Sequence, residues 1–323
     1  MKADIAPSLK RSTANGPLDE LSRHRRFNKA VARCLSCDPL TRDTALAIAN
    51  CSQRLNLSFE LINGQLGPAK VVNGLLCNRR LCPFCEWRRT RVWRARLLGG
   101  LKSFKLEQPK ISAIFLTLTV KNCQIYELRD SIHHLHSSFK RLTLIRDFPV
   151  EAWFRRTEVT VSKGVDSGGT LFGSSVHPHI HALLLVRPSY WSRDYWSQLR
   201  WQQEWQMAAR LDYSPVIDVR KARAKPIKDH EISDPNLSSI LEAAKYSTKA
   251  TDLLGLGNML PSFHTEMKHL RLYGVSSGLQ KHIKSEDIIA KSLFDEQSST
   301  ESAESLMAVA KWFDAIQEYQ FVT

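Results

Sequence analysis

The sequence predicts an α+β protein, with an antiparallel central sheet carrying helices on one face and a small cysteine-bearing subdomain ahead of it. Three observations carry that expectation. From Lys110 onward, alternating β-branched runs interleave with segments of helical periodicity. The seven cysteines all lie between Cys34 and Cys123, three of them within nine residues. The charge is also uneven: residues 1–110 hold 21 Lys and Arg against 8 Asp and Glu, whereas the remaining residues are nearly balanced.

Taken in order, residues 1–45 mix Arg, Lys, Ser and Pro with little periodicity and read as a flexible basic arm with room for one short helix. Residues 46–105 hold the cysteine cluster and end in an arginine-rich helix. The run Ile111–Thr119 reads as a buried strand. Leu128, Ile132, Leu135, Phe139 and Leu142 recur at helical spacing and predict an amphipathic helix, with His133, His134 and His136 facing solvent. Arg156–Ser162 is a second strand. A Gly/Ser loop follows, and His177–Val186 is a third strand, so the two form a hairpin.

Tyr190–Leu211 is a Trp-rich helical region and Pro215–Lys221 a fourth strand. Leu237–Leu254 is a helix ended near Gly255 and Gly257. The order strand–helix–strand–strand–helix–strand, over residues 106–283, suggests a ferredoxin-like palm. Residues 284–323 read as an acidic tail, in which a polar linker precedes a short helix over Ser305–Tyr319.

The net charge of +14 is concentrated in the first third, which reads as a surface for a polyanion, nucleic acid above all. The longest apolar runs are too short to span a bilayer, and the polar N-terminus has no signal-peptide core. The expectation is a cytoplasmic protein without a membrane partner. Odd cysteine count and tight spacing then argue for metal ligation over disulfides.

Cys77, Cys82 and Cys85 supply three thiolates of a structural Zn²⁺ site. Either Cys51 or the Cys34/Cys37 pair completes it. Cys51 is preferred, because the pair lies in the basic arm. Such a closed site is a scaffold. Directly after it, Arg88, Arg89, Arg91, Arg94 and Arg96 crowd one helix, with Arg88, Arg91 and Arg96 mostly on one side, suited to DNA phosphates.

In a strand, the imidazoles of His177, His179 and His181 share one face, while Ile180 and Ala182 point the other way. His179 and His181 form a ready pair of ligands for a divalent ion. Glu158, opposite them in the hairpin, is the candidate acidic ligand. His177 can be a ligand, a supporting partner or a strand-edge residue. Farther on, Glu242, Tyr246 and Lys249 have helical offsets that place them on one face. Tyrosine on a helix usually packs, and this group gains weight only beside the histidines.

CNRRLCPFCEWRR (Cys77–Arg89), FLTLTVKN (Phe115–Asn122), TEVTV with HPHIHALLLV, and EAAKYSTKATD (Glu242–Asp252), in this order, resemble the motifs of the plasmid rolling-circle replication initiators. The resemblance is to the single-tyrosine, glutamate-assisted branch of the HUH endonucleases, and it runs from about Cys51 to Tyr273. It implies that Tyr246 attacks a phosphodiester of single-stranded or hairpin origin DNA, leaving a 5′-phosphotyrosine and a 3′-hydroxyl for a host polymerase. It further implies that His179, His181 and Glu158 hold Mg²⁺ or Mn²⁺, that Glu242 is the general base at termination, and that Lys249 polarises the phosphate or tunes Tyr246.

No GxxxxGK[ST] loop occurs in the sequence, so unwinding is expected from a host helicase. A homodimer is a further possibility. Two other readings stand beside this one. An HUH transposase is set apart by Glu242 occupying the place of a second tyrosine. A non-catalytic zinc-containing regulator would leave HPHIH and the Glu242/Tyr246 pairing as accidents.

Overall fold

The computed structural model describes residues 18–62, 65–66, 69–161, 175–222, 249–283 and 305–322. The chain divides into two compact units, one of residues 1–88 with 291–323 and one of residues 89–290. Among the described residues no helix is long and apolar enough to cross a membrane.

The second unit is built on β4 (Ser112–Thr119), β5 (Ala152–Val161), β6 (Val176–Val186), β7 (Ile217–Lys221) and β8 (Tyr273–Val275). Their order is β7-β4-β6-β5-β8, and every pairing is antiparallel. The helices α4 (Leu128–Thr143) and α5 (Gln198–Ala209) connect β4 to β5 and β6 to β7. Numbered by appearance, the first four strands lie in the order 4-1-3-2, the arrangement of a ferredoxin-like palm.

Alternation sorts the two faces of this sheet. Ile114, Leu116, Leu118, Ile180, Ala182 and Leu184 point toward α4 and α5. There they meet Leu135, Phe139 and Leu142 of α4 and Trp201 and Trp205 of α5. Burying each such side chain contributes roughly 1.5–3 kcal/mol. That core anchors β6 firmly, and the residues of opposite parity are thereby set on the other face. Part of that face is covered by α3 (Pro83–Glu107). Its Trp93 stacks on Tyr273 at 5.0 Å and lies 5.7 Å from Phe154.

The first unit departs from expectation in two places. Where a flexible arm was expected, an 18-residue helix, α1 (Asp19–Ser36), packs beside α2 (Arg42–Asn50). Its buried positions are Leu21, Ser22, His24, Val31, Ala32 and Leu35, with the two long polar side chains Arg25 and Asn28 in the middle of the stripe. Each of those finds a partner. Arg25 donates to the Ile48 carbonyl and lies over the Trp312 ring, and Asn28 accepts from the Phe84 amide.

The second departure is the tail. Instead of a helix, residues 305–322 form a hairpin of β9 (Ser305–Phe313) and β10 (Glu318–Val322). β9 pairs along the length of β1 (Arg54–Ile62), which also pairs with β2 (Gln65–Leu66) and β3 (Lys70–Gly74). The physical reason is period two. Ala310 and Trp312 are buried with exposed Lys311 between them, and the Tyr319 hydroxyl donates to the Ser52 carbonyl. The Gly/Ser loop after β5 and the linker ahead of β9 lie outside the described residues.

Candidate active site

The pairing of β5 with β6 sets Glu158 directly opposite His179 and Arg156 opposite His181. Opposed residues of an antiparallel pair share a face, so the carboxylate and both imidazoles converge, as the sequence predicts. Glu158 Oε2 lies 3.1 Å from His181 Nε2 and 3.8 Å from His179 Nε2. The two Nε2 atoms are 3.1 Å apart. Two ligands held at ~2.1 Å from one ion, at angles between a right angle and a tetrahedral one, stand about 3.0–3.4 Å apart. Two of the three separations fall in that range and the third, His179 to Glu158, is 0.4 Å beyond it, so the three groups are placed to hold a divalent ion after a small closure of the carboxylate.

The electrostatics agree with that fit. Burial opposes ionisation of Glu158, but the hydrogen bond from His181 and the charges of both imidazoles and Arg156 outweigh it, holding the carboxyl below its usual range. Burial, then the charge of His181, lowers His179 to about 4, so a lone pair is available for ligation at neutral pH.

The surroundings of the histidines come from β4 and its end, which pair with β6 so that Thr117 faces His181 and Thr119 faces His179. His177 does not join the cluster. Its ring stacks on His179 at 5.3 Å, and its Nδ1 lies 2.8 Å from Asn122 Oδ1.

The tyrosine segment is a partial correction. Glu242 and Tyr246 lie outside the described residues. Lys249 is described, and it is not within a helix. It is the extended N-cap (φ −69°, ψ 145°) of α6 (Ala250–Gly255), which ends at the expected glycine. One unbroken helix over Leu237–Leu254 is thus interrupted at Lys249, and the shared face of the three residues does not follow from it. Asp252 in the first turn complements the dipole of the helix that starts there.

In the first unit, Cys51, Cys77, Cys82 and Cys85 bring their sulfurs within 4.8 Å of one another. Cys51 and Cys77 lie 3.5 and 3.7 Å from Cys85, close to the roughly 3.8 Å edge of a tetrahedral zinc–thiolate centre. The Cys77 amide points at Cys51 Sγ and the Asn78 amide at Cys85 Sγ, donors suited to thiolates. The preference for Cys51 agrees with this geometry, but the reason offered for it does not. Cys34 sits within the well-formed α1 and exposed Cys37 caps its end, and neither joins the cluster.

The arginine helix forms as expected, but its cations are less open than a solvated face would be. Arg91 is exposed, whereas Arg88, Arg89, Arg94 and Arg96 are half-buried, and Arg96 lies over the Trp93 ring. Farther along the same helix Leu97, Leu101 and Phe104 are buried.

His136 is a residue that periodicity misassigned. His133 and His134 are exposed, but His136 points at the sheet, with its Nε2 2.7 Å from Thr157 Oγ1. Burial, then the charge of Arg155, lowers it to about 3 from 6.5. The unfolded chain thus takes up this proton first. The stability it represents is complete above about pH 6.5 and is lost as pH falls from there toward 3. His136→Gln is expected to flatten the fall of the melting temperature across that window. An unchanged slope in a pH series of thermal melts would remove His136 from the acid response.

Fold and clusters together define a two-unit α+β protein with two centres each able to hold a metal ion. The family described as replication protein matches residues 69–320, and the chain belongs to it. The chain is 30% identical over 267 residues to "Protein rep" of Lactiplantibacillus plantarum, covering 77% of this chain and 81% of that one. It is 29% identical over 227 residues to "Protein rep" of a Bacillus species, covering 67% and 69%. With "Protein rep" of Streptococcus pneumoniae serotype 2 it shares 32% over 204 residues, 61% and 58% of the two chains. No solved structure matches the chain. The family match takes in the β9–β10 hairpin, which the sequence resemblance left outside.

Proposed function

We propose that this protein initiates rolling-circle replication of a plasmid by nicking one strand at the origin, with Tyr246 as the covalent nucleophile. The observation that carries the reading is the convergence of Glu158, His179 and His181 in a replication protein. These three residues would hold Mg²⁺ or Mn²⁺, which when bound withdraws charge from a scissile phosphate.

The chemistry of the chain's own groups is then as follows. The phenol oxygen of Tyr246 bonds to phosphorus, the 3′-oxygen departs, and the phenol proton is given up to solvent or a neighbouring base. The product is a 5′-phosphotyrosine and a 3′-hydroxyl that a host polymerase extends. Lys249 offers positive charge to the phosphate or lowers the phenol pKa. At termination Glu242 takes a proton from a water whose oxygen bonds to phosphorus, the bond between phosphorus and the Tyr246 oxygen breaks, and the departing phenolate is reprotonated. Arg88, Arg89, Arg91, Arg94 and Arg96 supply cations along one helix for the DNA backbone. Cys51, Cys77, Cys82 and Cys85 hold Zn²⁺ as a scaffold. The protein works in the cytoplasm with a host helicase, as a monomer or a homodimer. The family match favours replication over transposition.

The direct test is incubation of the protein with an origin single strand labelled 3′ of the nick, in Mn²⁺. A labelled adduct that survives a denaturing gel and maps to Tyr246 is expected; strand binding with no adduct under any divalent ion would end the proposal. Glu242→Ala is expected to nick normally and accumulate the adduct over time. Wild-type release by that variant would assign the general base elsewhere.

A further inference from the structure

We infer that the strand motif FLTLTVKN is the outer shell of the histidine cluster, and that Thr117 and Asn122 are positioning residues that present both Nε2 lone pairs to the ion. This rests on the reading of Glu158, His179 and His181 as a metal site.

A neutral imidazole has one N–H and one lone pair, and a ligating nitrogen must keep the lone pair. Both Nε2 atoms face each other and Glu158, so with an ion held there in place of the His181–Glu158 hydrogen bond both protons sit on Nδ1. Each Nδ1 has a partner suited to that. His179 Nδ1 lies 3.1 Å from the His177 carbonyl, which can only accept. His181 Nδ1 lies 3.1 Å from Thr117 Oγ1, which accepts the proton through a lone pair. Phe115, two residues earlier on the same face, stacks on the His181 ring at 5.4 Å and limits its rotation.

Asn122 acts one step further out. Its Oδ1 accepts from His177 Nδ1 at 2.8 Å, where β6 begins, and the adjacent bridge between Cys123 and Val176 ties the same end. The carbonyl that orients His179 belongs to the residue Asn122 holds. A strand read only as hydrophobic core thus carries, on its other face, the groups that fix the imidazoles. Loss of such an outer partner typically costs 10- to 100-fold in metal affinity.

The test is Mn²⁺ titration of the zinc-loaded full chain, followed by calorimetry and by the Mn²⁺ spin-resonance signal, with thermal melts in parallel. Thr117→Val, nearly isosteric, is expected to weaken Mn²⁺ about 10- to 100-fold while melting like the wild type, and Thr117→Ser to restore affinity. Asn122→Ala is expected to weaken it in the same direction. Wild-type affinity in Thr117→Val, alongside lost binding in His181→Ala, would overturn the positioning role and leave the metal site standing. Equal Mn²⁺ binding by His181→Ala and the wild type would overturn the metal site and this inference with it.

Discussion

Tyr246→Phe is expected to abolish strand cleavage, lowering the nicking rate by at least ~10⁴-fold, while binding to the origin strand stays near the wild-type level. The substitution removes one oxygen and keeps the ring. Attack by water in place of the phenol would give a different product, without a protein-linked strand. A phenol with pKa near ~10 is a poor nucleophile at neutral pH. On the proposed mechanism the wild-type rate is therefore expected to depend also on Glu158, His179 and His181. His181→Ala should lose cleavage together with Mn²⁺ affinity, whereas Tyr246→Phe loses cleavage alone. Nicking by Tyr246→Phe at the wild-type rate, with a covalent adduct, would assign the chemistry to another residue.

Removing the thiolate-bound ion, or replacing Cys82 or Cys85 by serine, is expected to melt the first unit as a cooperative block. The four sulfurs join the end of α2, the turn after β3 and the start of α3, with Cys82 also contacting Asn28 of α1. Without an ion, mutual proximity and burial leave the thiols poorly matched, pulling Cys77 down and pushing Cys82 and Cys85 up from ordinary thiol values. Zinc binding to such sites supplies on the order of 10 kcal/mol, comparable to the whole stability of a small unit. Buried Trp87 and Trp312 report on the block. Chelation should shift their emission to the red as one zinc per chain is released. Protein purified without zinc that melts as before would show the cluster to be only a set of core cysteines.

The places where sequence reading failed share one cause. In α1 the apolar stripe is broken by Arg25 and Asn28, whose burial is tolerated only because Ile48, Trp312 and Phe84 come from distant parts of the chain. Over 305–319 a helical period and an alternating one fit the residues comparably, and pairing with β1 decides for the strand. His136 looks solvent-facing until β5 brings Thr157 beneath it. Thr117 and Asn122 were visible as part of a motif, but their use requires the β4–β6 register.

What the residues determined by themselves is local and periodic. Two-residue alternation put His179 and His181 on one side of a strand, and the hairpin expected of the two strands made Glu158 their neighbour. Cysteine spacing marked the thiolate centre, and helical recurrence marked α4. Tertiary structure alone decided which long-range partners satisfy buried polar groups, because the free energy of burying Arg25, His136 or an imidazole Nδ1 depends on donors and acceptors supplied by segments far away in sequence. Periodicity records which side of an element is buried, and it carries no record of what waits there.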